Sequence, residues 1–191
     1  MAIRIMLAGR RRRGKDTLAD CIQRLRPQVQ RAAFADGVRA EAASLLQAWL
    51  EPPLRYIDGQ DGPSYDALSR AIRDNRVLYG PLLQFVGEYC RQMERETYWI
   101  DALHRKYGRK MNLVVTDCRY PNEVEYGHTH GFTVVRINGP CRGDDGRSDT
   151  HPSEAQVDTL DVDLNFNNVG TLEDMEQWVR DRLLPYIEVG E

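Results

Sequence analysis

A chain of 191 residues with 41% apolar side chains is long enough and apolar enough to bury one sizeable core. Its formal net charge of −3 lacks the basic excess of a general nucleic-acid binder, and no run approaches the ~18 apolar residues of a membrane span. Four cysteines, Cys21, Cys90, Cys118 and Cys141, form no CxxC pair, so disulfides and structural zinc are not expected. With no secretory leader visible, a cytoplasmic location is.

In chain order, apolar runs predict strands over residues 3–8, 30–34, 113–116, 132–137 and 162–166. Between them, Leu18, Cys21, Ile22 and Leu25 mark one face of a first helix. Val38, Ala42, Leu45, Leu46 and Trp49 mark a second, and Leu83, Val86, Cys90 and Met93 a third within residues 81–94. A last helix opens on the capping pair Thr171 and Asp174 and buries Leu172, Met175, Val179 and Leu183. Such alternation predicts a single α/β domain over residues 1–191, with a mainly parallel sheet. Two stretches break the rhythm. Residues 51–64, with three prolines and two glycines, predict a loop; residues 139–152, rich in glycine, arginine and aspartate, predict an exposed one.

Gly9-Arg10-Arg11-Arg12-Arg13-Gly14-Lys15-Asp16-Thr17 lies between the first predicted strand and the first predicted helix. It has the frame G-x-x-x-x-G-K in the strand–loop–helix setting that a phosphate-binding loop requires. Glycines let successive N–H groups turn toward phosphate oxygens, and the helix N-terminus adds positive potential. Lys15 is one of only three lysines, with Lys106 and Lys110, and would reach the β- and γ-phosphates of a nucleoside triphosphate. The plainer alternative is a basic turn capping a helix. Where such loops carry Ser or Thr for Mg²⁺, this chain has Asp16, with Thr17 one place later, and a carboxylate can also hold Mg²⁺. Arg12 and Arg13 either lie along the triphosphate or form a solvated tip.

The third predicted strand runs into Asp117, where open α/β sheets bind their ligands. Asp117 is therefore a candidate Mg²⁺ ligand, or else an acid capping the next turn. Pro121 is suited to begin the helix that follows.

Taken in order, Gly14-Lys15-Asp16-Thr17, Asp117-Cys118-Arg119-Tyr120-Pro121-Asn122-Glu123 and His151-Pro152-Ser153-Glu154 resemble the bacteriophage deoxynucleoside monophosphate kinases. Phe34-Ala35-Asp36 with Arg39, Leu82-Leu83-Gln84 with Arg91, Trp99-Ile100 and Asn168-Val169-Gly170-Thr171-Leu172 extend the resemblance over nearly the whole chain. It implies a P-loop kinase fold with a five-stranded, mainly parallel sheet. It also implies ATP with Mg²⁺ as donor, a deoxynucleoside monophosphate as acceptor, and a homodimer in the cytoplasm of a phage host. Residues 139–152 would act as a lid and residues 36–105 would supply the monophosphate-binding region.

By that resemblance, Arg39, Arg91 and Arg119 meet the acceptor phosphate, and Asp36, Gln84, Asn122, His151 and Glu154 complete the acceptor side. Arg142 is the expected lid arginine, with Arg136 and Arg147 as rivals. Gly9, Arg12, Arg13, Gly14, Lys15, Asp16 and Thr17 bind ATP; Lys15, Arg142 and Asp117 carry catalysis; Asp16, Thr17 and Asp117 hold the metal. Trp99 is expected in the core. Two other readings stand beside this one. A kinase could phosphorylate a hydroxyl of a modified nucleotide or of a modified base in DNA, with Asp36 as base. A regulatory protein could bind ATP without transferring phosphate. Small nucleotides are the expected partners, with no stable nucleic-acid or membrane partner.

Overall fold

In the computed structural model, residues 2–58, 64–108, 111–141 and 156–189 are described. The chain divides into two compact units, one of Met1–Ala33 and Leu103–Glu191, the other of Phe34–Ala102.

The first unit is built on five parallel strands: β1 (Arg4–Ala8), β2 (Gln30–Ala32), β3 (Leu113–Cys118), β4 (Thr133–Asn138) and β5 (Leu164–Asn167), in the order β2-β3-β1-β4-β5. β1 is central and all five of its residues are buried, which is why residues 5–8 read as an apolar run after Arg4. Alternate side chains serve opposite faces. Ile5 and Leu7 join Val114, Val135 and Ile137 in a core with α1 (Lys15–Leu25) and the C-terminal segment Met175–Ile187. Met6 points the other way, toward α6 (Pro121–Thr129). There the absence of a side chain at Gly127 is used, because a Cβ would stand 3.0 Å from the Met6 sulfur. Fully burying each of the larger aliphatic residues contributes roughly 1.5–3 kcal/mol. These layers hold the carboxyl ends of β1 and β3 side by side.

The connection leaving β1 runs to one side of the sheet and the one leaving β3 runs to the other. The adjacent ends of these two strands thus flank the point where an open α/β sheet offers a crevice.

The second unit is helical: α2 (Phe34–Asp58), α3 (Tyr65–Asp74), α4 (Arg76–Met93) and the start of α5 (Tyr98–Tyr107). Ser64 caps α3, its hydroxyl accepting from the Ala67 N–H at 3.3 Å. Trp99 is buried, donates its indole N–H to the Gly87 carbonyl at 2.9 Å, and leaves no room for a side chain at Gly37.

Several expectations need correction. Residues 51–58, predicted as loop, continue α2. Proline's fixed φ is compatible with a helix, so Pro52 and Pro53 cost backbone hydrogen bonds without forcing an end. The second strand stops at Ala32 because Phe34 already begins α2, and the fifth starts at Leu164 rather than 162. Trp49 is 73% exposed and Met93 66%. Trp49 is exposed although it shares a helical face with buried Ala42, seven residues earlier. Leu45 and Leu172 are also exposed, Leu172 as the first residue of its helix.

Candidate active site

The loop between β1 and α1 is shaped by residues that only glycine can replace. Gly9 has φ +147° and a Cβ there would stand 2.7 Å from the Ile137 carbonyl oxygen. Gly14, at φ +96°, is the left-handed N-cap of α1 and offers no capping side chain. The first turn of α1 thus takes no hydrogen bond from an N-cap side chain, and a helix N-terminus of this kind suits an anion. Arg12, at the tip, also takes a left-handed φ of 56°.

Lys15, the first residue of α1, is buried. Its ammonium donates to the carbonyl oxygens of Gly9 at 2.6 Å and Arg10 at 2.7 Å. In a trans peptide the N–H lies opposite its C=O, so a carbonyl turned toward the ammonium aims the next residue's N–H away from it. The lysine thus shapes the loop as well as charging it.

Three contacts brace the loop from outside. Asn168, just past β5, donates its side-chain amide to the Arg13 carbonyl at 2.9 Å. Arg13 itself reaches the Gly139 carbonyl at 2.5 Å. Arg10 pairs with Asp158 at 2.5 Å. Two of the four arginines therefore tie the loop to its own unit.

Asp16 and Thr17 are exposed in the first turn of α1. The Asp16 carboxylate pairs with Arg31 of β2, which also bonds Asp20 at 3.0 Å. Asp117 stands at an irregularity. The β1–β3 register passes from Met6↔Val115 to Ala8↔Cys118, so Thr116 and Asp117 together face the single residue Leu7. Such an extra residue re-aims side chains next to a strand end.

The turn beyond is fixed by Glu123, a buried carboxylate that accepts from the N–H groups of Arg119 at 2.8 Å and Tyr120 at 3.3 Å. Burial, then Glu123 and Asp117, push the Cys118 thiol well up. That shift disfavours the thiolate a nucleophile needs.

The first unit thus gathers Gly9, Arg12, Arg13, Gly14, Lys15, Asp16, Thr17, Asp117, Arg119 and Asn122 on the segments leaving β1 and β3. In the second unit, Arg39 pairs with Asp36 at 2.5 Å in the first turns of α2. Gln84 is exposed on α4, and Arg91 donates to the Glu96 carbonyl at 3.2 Å. Arg136, on β4, donates to the Leu160 carbonyl. Arg142, Arg147, His151 and Glu154, and with them most of the expected lid, lie outside the described residues. Among the described residues no group of three or more His, Cys, Asp or Glu forms a metal cage, and no helix is long and apolar enough to cross a membrane.

Sequence reasoning gave no role to Asn168, Glu123, Arg31 or Asp158. Glu123 carried a local signal, an acid at the third position of a helix opened by Pro121. The other three are defined by partners distant in the chain, which periodicity cannot show.

An all-parallel five-stranded sheet flanked by helices, with a G-x-x-x-x-G-K loop joining its central strand to a helix, is an α/β P-loop kinase fold. No protein-family model and no curated protein sequence matches the chain. Among solved structures it is similar to shikimate kinase from Aquifex aeolicus vf5, with a TM-score of 0.49 and 14% identity, over 98% of this chain and 100% of that one. It is also similar to TT1252 from Thermus thermophilus, with a TM-score of 0.45 and 17% identity, over 96% and 97% of the two chains. The fold assignment rests on this chain's own strand order and loop.

Proposed function

We propose that the protein is a kinase that moves the γ-phosphoryl group of ATP to a deoxynucleoside 5′-monophosphate, giving the diphosphate and ADP. The observation that carries the donor half is Lys15, held on the Gly9 and Arg10 carbonyls inside the loop, with Asp117 re-aimed at the end of the adjacent strand. A buried ammonium fixed in this way opposes the charge that spreads over the phosphate oxygens during transfer.

An oxygen of the acceptor phosphate attacks the γ-phosphorus, and the bond from that phosphorus to the β–γ bridging oxygen breaks. The acceptor is already an anion, so no strong base is needed; the task is to hold two anions in line. Arg39, Arg91 and Arg119 take that role in this reading, since a guanidinium meets two phosphate oxygens with parallel hydrogen bonds. Arg142 remains the proposed lid arginine.

The oxygen donors of Asp117, Thr17 and Asp16 suit Mg²⁺, which takes one or two carboxylates and completes its shell with phosphates and water rather than needing a protein cage. Bound there, the ion would neutralise charge on the β- and γ-oxygens. Asp16 would share its carboxylate between the ion and Arg31. A hydroxyl acceptor would need a base, and Asp36, the residue available for it, is held by Arg39. The test is an ADP-release assay across the separate deoxynucleoside monophosphates, their ribose counterparts and duplex DNA. ADP released with a free monophosphate supports the reading, and ADP released only with DNA rejects it.

A further inference from the structure

We propose that Asn168 is a positioning residue for the phosphate loop, and that its side-chain amide determines how the Arg13–Gly14 peptide faces the bound phosphates. The inference rests on the donor half of the proposed function and adds a residue to it from the far end of the chain.

Asn168 is 2% exposed although its side chain is polar. Its amide lies against Gly14 so closely that a Cβ on that glycine would stand 2.3 Å from the nitrogen. From there the amide donates to the Arg13 carbonyl at 2.9 Å, across 155 positions of sequence. No peptide in the described chain is cis. Drawing the Arg13 oxygen toward Asn168 therefore turns the N–H of Gly14, in the same planar unit, to the opposite side. That N–H belongs to the N-cap of α1, beside Lys15, at a helix N-terminus of the kind where anions bind.

The backbone of Asn168 is itself fixed. Its N–H donates to the Asn138 carbonyl at 2.8 Å, and its own carbonyl lies where a Cβ on Gly139 would be 2.6 Å away. Arg13 closes the circuit by donating to the Gly139 carbonyl. The ends of β4 and β5 thus hold one peptide of the loop through a single buried amide. A donor is required, since the partner is a carbonyl oxygen that only accepts. An aspartate of the same shape has none when ionised, and would set a carboxylate against that oxygen.

The experiment compares the full-length protein with its Asn168→Asp and Asn168→Ser variants by equilibrium binding of inorganic tripolyphosphate, ATP and adenosine, with melting temperature measured alongside. A serine hydroxyl can still donate, so it serves as the conservative variant. Positioning predicts that Asn168→Asp binds tripolyphosphate and ATP at least about tenfold more weakly, with adenosine affinity unchanged and Asn168→Ser closer to the parent. A purely structural role predicts a lower melting temperature with all three ligands affected alike or none affected, and overturns the proposal. If Asn168→Asp does not fold, Asn168→Ser decides: parental tripolyphosphate affinity relative to Asn168→Ala sustains the donor requirement, and equal loss in both rejects it. If the parent protein binds neither tripolyphosphate nor ATP, the phosphate-loop reading itself has failed and this inference falls with it. Failure of the inference alone looks different, with the parent binding both and Asn168→Asp equalling it.

Discussion

Lys15 turns its ammonium back onto the carbonyl oxygen of Gly9, 2.6 Å away and six residues earlier in the chain. The loop between them is therefore closed by a charged hydrogen bond, of the stronger kind because the donor is ionised. Removing it should be felt in two ways, as a lost charge at the phosphates and as a slacker loop. Lys15→Ala is expected to lower turnover by at least about a hundredfold, roughly 3 kcal/mol of transition-state stabilisation. Circular dichroism would show the fold retained, because the sheet and its core do not involve this side chain. Near-normal turnover in a folded variant would contradict the assigned role.

Asp117 tests the metal side. Asp117→Asn keeps the shape and removes the charge, so the Mg²⁺ concentration needed for half-maximal activity should rise at least about tenfold. A Mg²⁺ titration at saturating ATP reads this directly. An unchanged midpoint would mean that Asp117 only caps the turn after β3.

The local part of this architecture was legible in the sequence. β1 and β3 are largely buried and so carry apolar runs, residues 5–8 and 113–115, and the loop motif, Pro121 and the Thr171–Asp174 pair are defined within a few residues. What could not be read depends on contacts between segments far apart. The end of β2 was overrun because Phe34 is apolar in either state, and Trp49 kept its helical period although its side chain is exposed. Asn168 stood in a motif that the resemblance supplied, yet its bond to Arg13 exists only once β5 lies beside β4 and β4 beside β1.

Thr171 and Asp174 open the helix Leu172–Trp178 with reciprocal bonds: the Asp174 N–H donates to the Thr171 hydroxyl at 3.2 Å, and the Thr171 N–H to the Asp174 carboxylate at 2.7 Å. Thr171→Ala should lower the melting temperature by about 2–4 °C. The backbone bond from Thr171, then its side-chain bond, hold the Asp174 carboxyl below its ordinary value. A depressed folded-state value means that its stabilisation is present above the unfolded carboxylate range and is lost as pH falls through the folded value. Asp174→Asn should therefore narrow the stability difference between neutral and acidic pH. An unchanged acid limb in thermal melts would count against the cap.

Thiol chemistry offers an independent check of the fold. Cys21, Cys90 and Cys118 are buried, and burial raises each thiol. Cys141 is exposed. A thiol-labelling time course on the folded protein should show one fast site, located at Cys141 by peptide mapping, and three that react only after denaturation. Fast labelling of Cys118 would contradict the packing described beneath Asp117.

The central claim is that phosphate passes from ATP to a free nucleoside monophosphate, and one measurement addresses it most directly. The protein is incubated with Mg²⁺ and ATP labelled in its γ-phosphate, together with either the separate deoxynucleoside monophosphates or DNA containing ordinary and hydroxymethylated pyrimidines. The account predicts label in a deoxynucleoside diphosphate, dependent on Lys15, and none in polymer. Label retained in DNA with none in nucleoside diphosphate, or ATP bound with no label transferred to any acceptor, would contradict it.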